Sequence, residues 1–275
     1  IQTEFHRNSP SGGLIHNEHT DLLRQASVGL TPEQRAVVDR LPFLDQEVFA
    51  PGALRGQYDV LVYSLLMDYT QDRYRHRATG LILPWNQLDV DATDSTFWPR
   101  IEAKFGHEGV DRAFLTWFSE QFERIGALTA EQLQDNVRWL AGIVPPGARL
   151  ILLNGAEAPV DYPGEPLRHL RHEEMNEALD LVVEGLANTT VCDVRQFVVS
   201  EDDLSRDIRH YRRYVYVRIA EEIQASAASS LDLVQLRPKG RAWRRIRRVA
   251  GRVRRRFRPV DPQPFSTGPS DRKAA

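Results

Sequence analysis

Three short runs of apolar residues dominate the hydrophobic pattern of the chain. They cover residues 58–66, 149–153 and 190–194, and the last has a possible extension over 197–199. Their hydrophobicity is nearly continuous rather than alternating, which is typical of parallel strands covered by helices on both faces. We therefore predict three buried parallel strands.

Helical patterns fill the intervals between these strands. Thr31 and Pro32 mark one helix start, because threonine caps helices and proline fits the first turn. Longer helices are predicted where apolar residues recur every three or four positions, over 111–124, 130–143, 173–186 and 207–223. Loops are predicted where Gly, Pro and polar residues cluster, over 8–13, 81–96 and 156–165.

The alternation of strands and helices predicts an α/β fold. We expect a three-layer, doubly wound (flavodoxin-like) parallel sheet whose ligand site lies at the carboxyl ends of the strands. Three strands are few for such a sheet, so we also expect a further strand upstream of Ile1, which implies that the chain is truncated at its N-terminus.

Charge divides the chain into an acidic body and a basic tail. Residues 237–258 hold 12 basic side chains and no acidic one, although the whole chain has 36 Lys and Arg against 38 Asp and Glu. Residues 259–275 add two of each sign, so residues 1–236 carry 22 basic and 36 acidic groups. We predict an α/β domain over 1–235, an Arg-rich helix over 236–258 and a disordered tail over 259–275.

The Arg-rich segment has the pattern of a helix that lies on a membrane surface. Its apolar residues recur at steps of three and four and form one stripe: Trp243, Ile246, Ala250, Val253 and Phe257. Basic residues surround the stripe, including Arg244, Arg245, Arg247 and Arg248. This pattern predicts binding to an anionic membrane surface, with a disordered tail of non-specific RNA affinity as the alternative. The acidic body itself disfavours nucleic acid.

Several other classes of protein find no support in the composition. No stretch approaches the roughly 20 apolar residues of a spanning helix. Cys192 is the single cysteine, which favours a reducing compartment. Together with the basic segment this predicts a cytoplasmic protein peripherally associated with the membrane. We expect no cofactor and no metal, because no Gly-rich phosphate loop is present and the spaced pairs His16/His19 and His169/His172 are better explained as solvated or hydrogen-bonded histidines.

The sharpest candidate for chemistry is the sequence Asp207-Ile208-Arg209-His210. It follows the last predicted strand and leads into the last predicted helix of the body. At this spacing Asp207 can orient His210, and a neutral imidazole held in this way can accept a proton from a hydroxyl nucleophile. The alternative is an acid and a histidine that only favour the start of a helix.

Two segments resemble the SGNH/GDSL hydrolases, in particular SGNH-like domains encoded with bacterial capsule and surface-polysaccharide genes. The third-strand region of that family is similar to residues 58–80, YDVLVYSLLMDYTQDRYRHRATG. Its last strand and closing helix, with the Asp-x-x-His block, are similar to residues 190–223, TVCDVRQFVVSEDDLSRDIRHYRRYVYVRIAEEI. The resemblance implies an SGNH-like fold in which His210 is the general base and Asp207 orients it.

The chain departs from the family pattern in its other blocks. A strand ending in Gly-Asp-Ser has no counterpart, and Ser9, Ser11 and Ser64 are poor candidates for the nucleophile, so we expect the serine upstream of Ile1. Gly12 or Gly13 is the candidate for the family's oxyanion-hole glycine. The block Gly-x-Asn-Asp is replaced by Met67-Asp68-Tyr69-Thr70-Gln71, which leaves Asp68 or Gln71 in place of the asparagine.

The resemblance implies an esterase or acyltransferase that acts on an O-acylated sugar of a surface polysaccharide at the inner face of the membrane. The missing nucleophile and the altered third block leave a second possibility. In that case the chain is a non-catalytic accessory domain that binds a glycan or a glycosyltransferase partner.

Overall fold

The structure is a computed structural model that describes residues 19–44, 58–85, 90–159, 168–205 and 207–228. The candidate residues Gly12 and Gly13, and the basic segment with Trp243, Arg244, Arg245, Arg247, Arg248 and Phe257, lie outside these residues. In chain order the elements are α1 (Thr20–Val28), α2 (Pro32–Val38), β1 (Val60–Ser64), α3 (Leu66–Thr70), β2 (Asp72–His76), β3 (Ile82–Trp85), α4 (Trp98–Phe105), α5 (Arg112–Gln121), β4 (Phe122–Gly126), α6 (Ala130–Ile143), β5 (Arg149–Leu153), α7 (Arg168–Val183), β6 (Thr189–Cys192) and α8 (Arg213–Ala228).

The three predicted strands form one parallel sheet in the order β1-β5-β6. Val60 pairs with Arg149 and Leu150 pairs with Thr189, so β5 lies in the middle. The side chains of Leu150, Ile151 and Leu152 are fully buried, as a strand packed on both faces requires. A mixed α/β fold with a parallel sheet is therefore confirmed. The extension over 197–199 is wrong, because β6 ends at Cys192, a 3₁₀ turn follows over Val194–Gln196, and residues 197–199 belong to no strand.

A second, antiparallel sheet was not predicted. Its order is β3-β2-β4, and β3 lies within residues 81–96, so the loop predicted there is wrong for 82–85. The helix predicted over 111–124 ends at Gln121, and β4 begins at Phe122. Phe122 still packs on Phe118, with ring centroids 4.3 Å apart, so the four-residue apolar repeat holds across the change from helix to strand.

The predicted helices are present with changed ends. Capping boxes at Thr31 and Thr129 begin α2 and α6, and α6 matches the predicted bounds 130–143. The helix predicted over 173–186 is α7, which begins earlier, at Arg168. The helix predicted over 207–223 is α8, which begins only at Arg213. Consequently Asp207 and His210 lie on a turn that precedes the helix.

Helices pack against the central strand β5 through alternate residues. Leu150 and Leu152 belong to a buried cluster with residues of α6 and α7, such as Leu140 and Leu179. Ile151 belongs to a different buried cluster, together with Val215 of α8. No helix of the described residues is long and apolar enough to cross a membrane.

Candidate functional site

A closed loop between β6 and α8 carries Asp207 and His210. Its two sides meet at an antiparallel bridge between Leu204 and Tyr211. The backbone N–H of Ser205 donates to the carbonyl oxygen of His210 at 2.8 Å, which closes the loop just inside that bridge. The loop therefore has a fixed geometry at its base.

Two side chains attach this loop to the carboxyl end of β5. Ile208 is buried in the cluster that contains Ile151 and also Ala156, which lies three residues after β5. Tyr211 belongs to the same cluster, and its hydroxyl interacts with the backbone of Ala156. The loop thus lies at the edge of the parallel sheet where α/β proteins bind ligands.

Asp207 and His210 are in direct contact on this loop. Nδ1 of His210 lies 2.8 Å from Oδ1 of Asp207, and the same oxygen accepts the backbone N–H of Arg209 at 2.9 Å. The Asp207 side chain is 13% exposed, whereas that of His210 is 49% exposed. The acid is held within the loop and the imidazole faces outward.

The ionisation of Asp207 fixes the roles of the two imidazole nitrogens. Burial raises the pKa of Asp207, but the hydrogen bond from His210 and the charge and hydrogen bonds of Arg209 outweigh burial and lower this pKa to about 2. The ionised carboxylate only accepts, so Nδ1 of His210 donates to it. In the neutral imidazole Nε2 is then the free acceptor, as a general base requires.

A polar cluster that sequence reasoning missed joins the carboxyl ends of β5 and β6. The amide of Asn154 donates to Asp193 at 2.9 Å and accepts the backbone N–H of Val194 at 2.7 Å. The guanidinium of Arg195 lies 2.7 Å from Asp193 and 2.9 Å from Asp180 on α7. These contacts fix the strand ends beneath the loop that carries His210.

A second buried cluster follows β5 and centres on His172 of α7. Nδ1 of His172 donates to the carbonyl oxygen of Ala156 at 2.7 Å. Burial lowers the pKa of His172 to about 4, with smaller contributions from nearby arginines including Arg209, so the ring is neutral. No group of three or more potential metal ligands occurs in the part of the chain that the structure describes. His172 therefore supports the backbone of Ala156, which Tyr211 also contacts.

The two oxyanion-hole candidates after β1 lie in different surroundings from His210. Asp68 is fully buried, and its Oδ1 accepts the backbone N–H of Thr20 at 3.1 Å as well as the Thr20 hydroxyl. Burial raises the pKa of Asp68. Gln71 is buried at the C-terminal end of α3. The hydrogen bonds of Asp68 thus hold the start of α1, and within the described residues none joins it to Asp207 or His210.

The serines near the site are also engaged with backbone groups. Ser64 ends β1, and its hydroxyl oxygen accepts the backbone N–H of Leu66. Ser205 donates its hydroxyl to the backbone carbonyl of His210 at 3.2 Å rather than to the imidazole. Ser9 and Ser11 lie outside the described residues.

Comparison with known proteins adds no assignment to this geometry. No protein-family model, no curated protein and no solved structure matches the chain.

Proposed function

We propose that this chain is an SGNH-like esterase or acyltransferase domain that acts on an O-acylated surface polysaccharide, with His210 as general base and Asp207 orienting it. The observation that carries the proposal is the 2.8 Å contact between Nδ1 of His210 and the ionised Asp207. The contact lies on a loop that Ile208 and Tyr211 attach to the carboxyl end of β5.

In the proposed reaction Nε2 of His210 takes the proton from a serine hydroxyl as that oxygen attacks the ester carbonyl carbon. Asp207 stabilises the imidazolium that forms, and the imidazolium returns the proton to the departing sugar oxygen. An acyl-serine results, which water or an acceptor hydroxyl then resolves. Since no serine of the described residues bonds the His210 ring, we place the nucleophile in sequence outside them.

The finer fold assignment, a three-layer doubly wound sheet, is part of the same proposal. It is supported by the all-parallel order β1-β5-β6 and by the two separate clusters on which alternate residues of β5 pack. Further strands next to β1 would complete a sheet of the usual width. Circular dichroism and structure determination of a longer chain test this point.

We further propose that the basic segment holds this domain at the inner, cytoplasmic face of an anionic membrane, near a glycosyltransferase partner. The support is the sequence pattern of Trp243, Phe257 and the arginines between them. Co-sedimentation with liposomes tests this placement, because binding should need anionic lipid and should fall as salt rises. Equal binding to neutral vesicles would count against it, and preferential binding to RNA would favour the alternative.

The alternative function is that of an accessory domain that binds a glycan or a glycosyltransferase without catalysis. The observation that favours it is the engagement of Asp68 with Thr20, which takes Asp68 out of the oxyanion-binding role. The two functions differ in whether removing the imidazole of His210 changes turnover.

Hydrolysis of p-nitrophenyl acetate by the full-length protein is the direct test. His210→Ala should lower kcat by about 10²- to 10⁴-fold, the usual contribution of general acid–base catalysis. His107→Ala is the matched control, because that histidine is 74% exposed and lies on a 3₁₀ turn between α4 and α5. Unchanged turnover in His210→Ala would refute the assignment and favour the accessory function.

A further inference from the structure

Tyr216 lies directly against the loop that carries the proposed base. Its hydroxyl oxygen accepts the backbone N–H of Tyr211 at 3.3 Å, and this amide is the one that joins Tyr211 to His210. The rings of Tyr211 and Tyr216 pack with centroids 5.5 Å apart. The position and orientation of the Tyr216 ring are thus fixed beside His210.

Tyr216 is also unusual in its exposure. Among the aromatic side chains of the described residues only Tyr214 and Tyr216 are close to half exposed, at 49% and 48%. An aromatic ring that is already fixed offers apolar area to a ligand with little further loss of conformational entropy. Its hydroxyl accepts from Tyr211, and its own proton can still be donated.

The exposed residues next to the loop are of mixed character in the part of the chain that the structure describes. Ser205, Arg212 and Arg213 are polar, whereas Val217 beside Tyr216 is apolar and 51% exposed. A sugar ring fits this mixture, because it has an apolar C–H face for the tyrosine ring and hydroxyl groups for the polar side chains.

We propose that Tyr216 is the binding surface for the pyranose ring of the substrate, packing on its C–H face and donating the tyrosine hydroxyl proton to a sugar oxygen. This inference depends on the proposed function in one respect only, which is that the bound sugar carries an ester. It assigns substrate recognition to a residue on the first turns of α8, six positions after His210.

The chain offers a matched control at Tyr214. This residue has nearly the same exposure and lies on the same helix, but positions two apart on a helix point about 200° from each other. Val215, between the two tyrosines, faces the core. The Tyr214 hydroxyl donates to Asp203 instead of contacting the backbone beside His210.

Binding is measured first, because it requires no turnover. Methyl mono-O-acetyl pyranosides of glucose, galactose and mannose serve as probes in NMR titrations of the full-length protein. Tyr216→Ala should raise the Kd by about 3- to 10-fold, which is the usual effect of losing one aromatic contact. The Kd of Tyr214→Ala should stay within about twofold of the wild-type value. No binding of any of the three sugars, or an equal loss in Tyr214→Ala, would overturn the proposal.

Hydrolysis then separates this inference from the proposed function. The ratio of kcat/KM for the best acetylated sugar to that for p-nitrophenyl acetate should fall about fivefold in Tyr216→Ala and stay constant in Tyr214→Ala. An equal loss on both substrates would mean that Tyr216 only positions the loop through Tyr211, which overturns the recognition role. If His210→Ala leaves turnover unchanged while Tyr216→Ala still weakens binding, the esterase fails and the sugar site stands.

Discussion

Gly155 is the glycine near the site at which adding a single methyl group should lower the stability of the fold most. It lies two residues after β5, where an added Cβ would be 2.6 Å from Nδ1 of His172 and 3.0 Å from Cδ2 of Tyr69. Both neighbours are fully buried. His172 donates to Ala156, and Tyr69 donates to Asn176 at 3.0 Å, so neither ring moves without losing a hydrogen bond.

Gly155→Ala should therefore lower the free energy of unfolding by about 2–4 kcal/mol. Overpacking of a dense core costs about 1–3 kcal/mol, and the displaced hydrogen bond of His172 adds about 1 kcal/mol. For a domain of this size the loss corresponds to a fall in Tm of roughly 4–16 °C. Urea titrations monitored by tryptophan fluorescence measure this change in unfolding free energy, when both proteins are fitted with the same dependence of that free energy on urea concentration.

A second glycine gives the control for this measurement. Gly142 lies on α6 with no atom within 4 Å of a built Cβ, so Gly142→Ala should be neutral or stabilising by up to about 1 kcal/mol. The double variant Gly155→Ala/His172→Ala should be less destabilised than the sum of its single changes, because removing the ring relieves the clash. A Gly155→Ala protein within 0.5 kcal/mol of the wild type, roughly the scatter of a neutral change, would refute the close packing.

Three further predictions concern single ionisable or reactive groups. Cys192 is buried, and burial raises the pKa of its thiol to about 11. Iodoacetamide at pH 8 should therefore leave Cys192 unmodified until urea unfolds the protein, because the thiolate is the reactive form. Rapid labelling of the native state would contradict this. The folded pKa of Asp207 lies below its unfolded value, so its contribution of about 2 kcal/mol is present above pH 4 and is lost as the pH falls toward 2. The difference in unfolding free energy between the wild type and Asp207→Asn should shrink across that interval, and a difference independent of pH would contradict the assignment. Asp68→Ala should lower the free energy of unfolding by about 1–3 kcal/mol, because the N–H of Thr20 loses its acceptor. Asp68→Asn retains an oxygen at this place and should lower it less. Equal urea midpoints for the wild type and both variants would show that this contact is unimportant.

The parallel sheet could be predicted from sequence, whereas the antiparallel sheet could not. The strands of the first sheet are continuous apolar runs, which have few alternative explanations. The central strand of the second sheet reads Asp72-Arg73-Tyr74-Arg75-His76, and it is nevertheless mostly buried. Arg73 pairs with Asp21 at 2.8 Å and Asp72 pairs with Arg124 at 2.7 Å. Partners about 50 residues away determine the burial of these charges, and local patterns contain no information about them.

The candidate site was likewise predictable only where its contacts join residues that are close together in the sequence. The spacing of Asp207 and His210 predicted their contact, but the helix predicted to begin at 207 begins only at Arg213. The carboxylate of Asp207 accepts the N–H of Arg209, which favours a turn over a helix at this point. Asn154 was missed, and His172 was expected only as a solvated or hydrogen-bonded histidine without a named partner, because the partners of both lie on other elements of the fold.

The ends of the antiparallel sheet have a consequence for how this chain can change over evolution. Arg73, at the start of the sheet, pairs with Gly126, at its end, and its Nε donates to the Gly126 carbonyl at 3.1 Å. The chain therefore leaves and re-enters the α/β body at neighbouring points, one strand spacing apart. The buried face of this segment is shared with Leu22 of α1 and Val37 of α2. A change of length that keeps these ends and this face, as in the exposed turn between β2 and β3, should therefore leave β1 and β5 in place.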